Sequence, residues 1–186
     1  MFLLASRSPQ RQRILKRLGV SFQVTPSSFD EAAVTECNPK KRALLLAEGK
    51  AKDVAEKYPD QWVIGADTLV VTSDETLLEK PVNASDAERM LRLHSGRTST
   101  VYTALCLCRG EECHAALSTA SVTFRKLSDE NIAWWIGTDL WKDRSGAFQL
   151  ENDGRKLVEQ VDGEEETVIG FPIALFRAFC RRLELS

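Results

Sequence analysis

Short apolar runs alternate with amphipathic stretches along this chain. Apolar residues 2–5 precede a helical spacing of apolar positions over residues 9–18, and a second apolar run at 62–64 follows a long helical pattern over residues 38–57. Regular alternation of strands and helices is typical of an α/β fold, in which the strands share one sheet. The remaining predicted elements of this half are a strand over residues 21–25, a strand over 69–72 and a helix over 86–93.

The second half of the chain departs from this regular alternation. Residues 98–108 and 115–125 are two consecutive β-rich stretches joined by Arg109, Gly110, Glu111 and Glu112, which predicts a long antiparallel hairpin. A helix over 128–136, a strand over 156–161, a short strand over 167–169 and a final helix opened by Gly170 complete the prediction. The sequence therefore predicts one α/β domain over residues 1–186, with a central mixed, twisted sheet, helices on both faces and two lobes around a cleft.

Composition narrows the classes of protein to which the chain can belong. Its 186 residues are 43% hydrophobic and 28% charged, which are the values of an ordinary globular protein. The net charge of −2 lacks the excess of positive charge that non-specific nucleic-acid binding requires. The apolar run at the N-terminus is too short for a signal peptide, and no stretch approaches the length of a membrane span. We expect a cytoplasmic protein without nucleic-acid or membrane partners.

The cysteines point in the same direction. Five of them are present, an odd number without paired spacing, which favours reduced thiols in a cytosol. Cys106 and Cys108 alternate along a predicted strand, so both are expected to face the same side and pack there. With two histidines in all and no CxxC motif, in which two residues separate a pair of cysteines, the sequence argues against a structural zinc site.

The first predicted helix opens in a way that suits an anion. Ser8 is a good N-cap, and Pro9 fits the first helical position because its missing N–H would have had no partner there. Free backbone N–H groups, the helix dipole and Arg11 within one turn favour a phosphate site. The alternative is an ordinary capped helix with surface arginines.

Several charged residues are candidates for chemistry. Asp67 follows a short apolar strand beside small residues, where a substrate has room to approach a metal-binding or proton-accepting carboxylate; the alternative is a turn aspartate. Asp30 and Glu31 are candidate oxygen ligands for Mg²⁺, or else part of a solvated loop. Lys80 lies before a proline in an apolar context, whereas Lys50 lies on a helix rich in charges. The chain has no P-loop, dinucleotide fingerprint, HExxH or GxSxG motif, so these residues alone name no reaction.

Short sequence blocks are distributed along essentially the whole chain. They are LASRSPQR (4–11), FDE (29–31), KA (50–51), GADT (65–68), EKP (79–81), HSG (94–96), YTA (102–104), DRSGAF (143–148) and VIGFP (168–172). In the same order, these blocks resemble those of the Maf family of nucleoside triphosphate pyrophosphatases. GADT and EKP alone would be weak signals, but many blocks in the family's order are a specific one.

The resemblance implies an enzyme with the Maf/ITPase-like fold and a nucleotide cleft. It implies hydrolysis of a nucleoside triphosphate between its α and β phosphates, with a divalent cation (Mg²⁺, Mn²⁺ or Co²⁺) as cofactor. Asp67 is then the proton acceptor for the attacking water and, with Glu31, a metal ligand. The residues expected to bind the phosphates are Ser8, Arg11, Lys50 and Lys80.

The positions that would select the base give a mixed signal. Thr68 is similar to the subgroup acting on dTTP and UTP, whereas Glu151 is similar to the subgroup associated with 7-methylated guanine nucleotides. Gln10 replaces the first arginine of the family's opening motif, where the 7-methylguanine subgroup has tryptophan, and Ser99 stands where the family usually has histidine. The base preference is therefore open between 7-methyl-GTP or CTP and dTTP or UTP.

Two alternatives to this enzyme remain at the level of sequence. One is a nucleotide-binding regulator of cell division or septum formation without significant turnover; loss of Asp67 or Lys80 would have favoured it, and both residues are present. The other is a house-cleaning enzyme for deaminated purine nucleotides such as ITP. Because the family often forms dimers, a homodimer is a further expectation.

Overall fold

The computed structural model describes residues 1–185, which form a single seven-stranded sheet with flanking helices. The strands are β1 (Phe2–Leu4), β2 (Phe22–Val24), β3 (Val63–Val71), β4 (Leu77–Leu78), β5 (Thr98–Arg109), β6 (Glu112–Phe124) and β7 (Val158–Asp162). The strand order is β2-β1-β3-β5-β6-β7, and β4 pairs with β3. β1 runs parallel to both β2 and β3, whereas β3 and β4, and β6 and β7, pair antiparallel. The predicted mixed sheet of an α/β fold is confirmed.

The five predicted helices are present in the predicted order, and one further helix lies before the last of them. The helices are α1 (Pro9–Arg17), α2 (Pro39–Ala55), α3 (Ala84–His94), α4 (Asp129–Gly137), α5 (Glu165–Ile169) and α6 (Ile173–Arg182). Short 3₁₀ helices occupy Glu31–Ala33, Ser145–Ala147 and Asn152–Leu157. Within residues 1–185, no helix has both the length and the apolar character that crossing a bilayer requires.

The chain divides into two compact units, each discontinuous in sequence. The first unit comprises Met1–Asp67, Thr103–Ser118 and the segment from Gly170 onward, and the second comprises Thr68–Tyr102 and Thr119–Ile169. The prediction of one domain over residues 1–186 stays a prediction. Fully buried side chains of the first unit include Leu3, Leu4, Leu15, Ile64, Leu105, Leu107 and Phe171.

The second unit has an apolar core rich in aromatic residues. Its buried side chains include Met90, Leu91, Val101, Phe124, Trp135, Trp141, Phe148 and Leu157. The indole N–H of Trp135 donates to the carbonyl of Ala147 at 2.9 Å, so this large side chain is buried without an unpaired donor.

The start of α1 matches the prediction from sequence. The hydroxyl of Ser8 accepts a hydrogen bond from the backbone N–H of Arg11 at 3.4 Å, and Pro9 is the first helical residue. Gly19 adopts a φ of 70° just after the helix, a conformation that costs glycine little.

The predicted strand over residues 167–169 is wrong, because these residues belong to helix α5. The backbone N–H of Thr167 donates to the carbonyl of Glu164 at 3.0 Å, which closes a helical turn. Glu165 and Glu166 lie in the first turn, where the helix dipole favours negative charge. The apolar run was too short to distinguish a strand from one buried turn of helix.

The expectation that all cysteines are reduced is also wrong, because Cys108 and Cys113 form a disulfide. β5 and β6 extend to Arg109 and Glu112, which leaves a two-residue turn and places the two cysteines opposite one another. The predicted hairpin had a longer loop, and that loop hid the pairing. The expectation that Cys106 and Cys108 share a face is confirmed, since their sulfur atoms lie 3.5 Å apart and both are buried.

Candidate active site

A lysine held between two carboxylates forms the centre of the candidate site in the first unit. The Lys50 Nζ atom lies 2.6 Å from Asp67 Oδ1 and 2.8 Å from Glu31 Oε2. The Lys50 and Asp67 side chains are each 11% exposed, whereas that of Glu31 is 56% exposed. Removing two charges from water costs free energy, and the attraction between them offsets that cost only at short distance. The short contacts of Lys50 therefore hold the three charged groups at a defined position.

Close packing of α2 against β3 allows Lys50 to reach Asp67. A side chain at Gly65 would clash with the carbonyl oxygen of Ala47 and would lie 2.8 Å from the Cβ atom of Ala51. The small residue therefore lets the helix, rather than a substrate, approach the strand. The expectation that the small residues beside Asp67 leave room for a substrate is therefore wrong at Gly65, whose space is occupied by α2.

A second close contact positions Glu31. The ring of Phe29 packs on α2 at Gly49, where a Cβ atom would clash with the ring. Asp30 caps the next turn by accepting from the backbone N–H of Ala32 at 3.0 Å. Asp30 thus orients the segment, and the carboxylate that reaches Lys50 is that of Glu31.

Arg11 adds a cation at the start of α1. Its Nε atom donates to the carbonyl of Gly170 at 2.9 Å, and its Nη1 atom donates to Ser6 Oγ at 3.0 Å. Burial lowers the pKa of this guanidinium, while the negative charges of Asp67 and Glu31 oppose the shift. An arginine remains charged under these conditions, so it adds positive charge to the field of the two carboxylates.

The surroundings of Asp67 tune its proton affinity. Burial, as the largest cause, raises the pKa of the Asp67 carboxyl above its ordinary value; Lys50 and Arg11 oppose the rise, and Glu31 adds to it. A carboxylate with a raised pKa accepts a proton more readily than an exposed one. The arrangement therefore suits a general base.

The other predicted residues of the first unit lie beside Arg11 in sequence. The hydroxyl of Ser8 donates to Gln10 Oε1 at 3.3 Å, and Gln10 is buried. Gln10, which stands where the family's opening motif has an arginine, is thus a buried amide at the start of α1.

The remaining predicted residues, Thr68, Lys80 and Glu151, lie in the second unit. Lys80 is exposed, and the carbonyl of its neighbour Glu79 accepts from the Gly146 N–H at 3.0 Å. The carbonyl of Thr68 accepts from Ser145 Oγ at 3.1 Å. Glu151 is half-buried and its carbonyl accepts from Gln149 Nε2 at 3.4 Å.

The structure thus distributes the predicted residues between the two units. The first unit brings together Ser8, Gln10, Arg11, Glu31, Lys50 and Asp67, and the second holds Thr68, Lys80 and Glu151.

Sequence reasoning missed a buried polar network in the second unit. Because a carbonyl only accepts, His94 Nε2 carries the proton and donates to the Gly146 carbonyl at 3.0 Å. Its Nδ1 atom then accepts from the Ser99 hydroxyl at 2.7 Å. The imidazole stacks on Phe124 with ring centroids 4.2 Å apart, and burial lowers the pKa of His94 to about 4. The sequence did carry one sign that His94 is buried: it lies three residues after Leu91, on the apolar face of α3.

The acidic residues suit a divalent cation. Glu31 and Asp67 both lie within 3 Å of one ammonium group, so their carboxylates converge on a small volume. Mg²⁺ prefers carboxylate oxygens and completes its shell with water and phosphate oxygens, so two carboxylates and a phosphate ligand are a sufficient set.

Comparisons with known proteins identify the family of this chain. A family model described as Maf-like protein matches residues 1–183. A dTTP/UTP pyrophosphatase of Treponema denticola is 36% identical over 92% of this chain and 91% of its own. One of Koribacter versatilis is 39% identical over 97% of this chain and 93% of its own. The solved Staphylococcus aureus Ham1 protein has the same fold at 12% identity, with a TM-score of 0.52 over 98% of each chain. With a family model matching over this length, the chain belongs to the Maf family.

Proposed function

We propose that this protein is a nucleoside triphosphate pyrophosphatase, which hydrolyses the bond between the α and β phosphates and releases a monophosphate and pyrophosphate. The observation that carries the proposal is the buried Asp67 carboxylate, 2.6 Å from Lys50 and in the field of Arg11. The names of the curated relatives support the same reaction class.

The residues divide the work between proton transfer and phosphate binding. Asp67 accepts the proton of the water that attacks the α-phosphorus, for which its raised pKa suits it. Arg11 and Lys50 neutralise the negative charge that accumulates on the phosphate oxygens, and the capped start of α1 at Ser8 offers further donors. Lys80 is exposed, so its ammonium group is accessible to a phosphate.

Glu31 and Asp67 would hold the divalent cation. The cation, when bound, supplies positive charge to the phosphates and lowers the pKa of its bound water. In its absence, Lys50 balances the two carboxylates. Substrate phosphates compete with Glu31 and Asp67 for the Lys50 ammonium group. Binding of a phosphate to Lys50 therefore frees both carboxylates from their ion pairs.

We infer that dTTP and UTP are the preferred substrates, since the curated relatives carry that name and Thr68 agrees with it. Glu151 argues for the other choice if its carboxylate faces the base. An ionised carboxylate only accepts hydrogen bonds, whereas uracil and thymine present one N–H between two carbonyls. A desolvated mismatch of this kind costs on the order of 1–3 kcal/mol.

The reaction is tested by product analysis and one substitution. We expect pyrophosphate, not orthophosphate, as the first product of dTTP hydrolysis with Mg²⁺. Asp67→Asn is nearly isosteric and should lower kcat by at least ~100-fold while circular dichroism stays unchanged. Its matched control is Asp53→Asn, which removes a carboxylate of the same unit that accepts from the Ser28 N–H at 2.8 Å and pairs with Lys57. That variant should retain turnover, and near-normal kcat in Asp67→Asn would contradict the assignment.

The base preference is tested with kcat/KM for dTTP, UTP, CTP and 7-methyl-GTP in the wild type and in Glu151→Gln. If Glu151 points away from the base, dTTP and UTP lead in both proteins. If Glu151 reads the base, guanine or cytosine nucleotides lead in the wild type, and the substitution shifts the ranking toward dTTP and UTP by roughly 5- to 150-fold. The second result would overturn the dTTP/UTP preference and leave pyrophosphate release intact.

A further inference from the structure

Three cysteines converge on one face of the β5–β6 hairpin. Cys108 and Cys113 are joined by a disulfide, and the Cys106 sulfur lies 3.5 Å from that of Cys108. All three sulfur atoms lie within 4.8 Å of one another. The other free cysteines of the described chain, Cys37 and Cys180, lie outside this cluster.

We propose that Cys106, Cys108 and Cys113 form a thiol–disulfide exchange site, which takes a low-molecular-weight thiol as co-reactant and holds it as a mixed disulfide on Cys113. This activity is independent of the proposed hydrolysis of nucleotides.

The access to the two bridged sulfurs is unequal. Cys106 and Cys108 have no exposed surface, whereas Cys113 is half-buried. An attacking thiolate therefore reaches Cys113 and displaces Cys108 as the leaving group.

The Cys106 thiol lies beside Cys108, the leaving group, and can donate a hydrogen bond to it. Burial, with the nearby charge of Glu48, raises the pKa of the Cys106 thiol to about 12, and Lys52 opposes this. Cys106 therefore keeps its proton at neutral pH and is not the attacking nucleophile. Its S–H instead donates to the Cys108 thiolate as that group forms in a fully buried position.

The exchange balances in two steps. In the first, a thiolate RS⁻ attacks the Cys113 sulfur, the S–S bond breaks and Cys108 leaves as a thiolate. In the second, another RS⁻ attacks the sulfur of R in the mixed disulfide and releases Cys113. The sum converts the protein disulfide and two RSH into two protein thiols and RSSR, so the protein gains two electrons and two protons.

The opposite face of the hairpin tip has contacts that do not depend on the disulfide. The Arg109 guanidinium lies 4.8 Å from the centroid of the Trp62 ring, and Glu112 accepts from His114 Nε2 at 2.8 Å. The hairpin thus retains its pairing when the bridge opens, which makes repeated cycles feasible.

The full-length chain tests the disulfide by counting thiols. Alkylation of the air-oxidised protein in denaturant should label three cysteines before reduction and all five after it. Five labelled cysteines before reduction would overturn the proposal. The same count in Cys37→Ser/Cys180→Ser should give one and three, which assigns the change to the cluster.

Exchange is tested in that double variant with glutathione buffers, acid quenching and peptide mass spectrometry. We expect one glutathione on Cys113, none on Cys106 or Cys108, and no exchange in a further Cys113→Ser variant. A disulfide that excess glutathione leaves intact in the folded protein, or glutathione on a buried cysteine, would overturn the proposal. Tight binding of one Zn²⁺ by the reduced cluster, blocking its reoxidation, would also overturn it in favour of a metal site.

The role of Cys106 is tested by a matched pair of variants. Cys106→Ala removes the donor and should shift the equilibrium with glutathione toward the disulfide by roughly 3- to 10-fold. Cys106→Ser keeps a donor and should stay within about twofold of the parent, on the same principle. Equal constants in all three proteins would remove Cys106 from the exchange site.

Discussion

Each unit buries a polar cluster, and the cost of removing polar groups from water is offset differently in the two: by pairing of opposite charges in one and by hydrogen bonds between neutral groups in the other. In the first unit, Lys50 and Asp67 are charged and neutralise one another at 2.6 Å. In the second, His94 is neutral and both of its ring nitrogens have partners, Ser99 and Gly146.

The difference separates a reactive cluster from a structural one. A charged cluster can be rearranged by an incoming charge, since phosphates compete for Lys50 and a cation competes for the carboxylates. A neutral network with every donor and acceptor paired gains nothing from a charged ligand and instead fixes the backbone at Gly146. This contrast predicts that the two clusters respond differently to substitution and to pH.

The largest expected effect comes from breaking the charged cluster. Lys50→Met leaves Asp67 buried without its closest counter-ion, which should cost about 3 kcal/mol of unfolding free energy in urea denaturation. Adding Asp67→Asn removes the unpaired charge and should restore most of that loss. Lys52→Met is the control on the same helix, because Lys52 forms an exposed pair with Glu48 at 3.3 Å; such pairs contribute at most about 1 kcal/mol. Equal losses in the two single variants would contradict the contrast.

The neutral cluster should give a distinct dependence on pH. The pKa of His94 is about 4 in the folded state against 6.5 as the ordinary value, so the unfolded state binds more protons between these limits. Stability is therefore full above pH 6.5 and falls as the pH drops toward 4, by roughly 3 kcal/mol in all. Urea denaturation at a series of pH values measures the slope.

A substitution assigns that slope to His94. His94→Phe keeps a flat ring and removes the titrating group, so its unfolding free energy should vary less between pH 6.5 and 4.5. An unchanged slope would assign the dependence to other groups. Asp53 is not one of them, because its pKa is lowered from 3.8 to about 2 and its contribution is lost only in that more acidic window.

A smaller effect tests how the charged cluster is positioned. Gly65→Ala places a methyl group against the Ala47 carbonyl and should cost about 1–3 kcal/mol, because a packed interior resists added volume. It should also lower kcat, since α2 carries Lys50. Gly137→Ala is the control: a Cβ atom there meets nothing within 4 Å, and alanine favours a helix. Thermal unfolding of both variants measures the difference, and a neutral Gly65→Ala would contradict the close packing.

The sequence predicted most elements because their patterns are local. The cap at Ser8, the stop at Gly19 and the hairpin each depend on residues close in the chain. The candidate site residues were identified by resemblance to the family and not by local pattern. Three of them, Glu31, Lys50 and Asp67, lie in contact in the first unit.

The missed features depend on distant packing. Gly65 was interpreted through its neighbours in sequence, although its space is occupied by α2. His94 gave no local sign of its partner Gly146, which lies 52 residues away. The Cys108–Cys113 bridge depends on a turn of two residues instead of the longer predicted loop, because both strands extend further than their sequence patterns indicate.

The hydrogen bond from Arg11 to the Gly170 carbonyl spans 159 residues of sequence, and this has a consequence for biosynthesis. A ribosome completes residues 68–102 and 119–169, the whole of the second unit, before it adds Gly170. Arg11 therefore gains this partner only after all of those residues have been synthesised. Contacts of such long sequence separation form slowly, so the surroundings of Arg11 are completed late in folding.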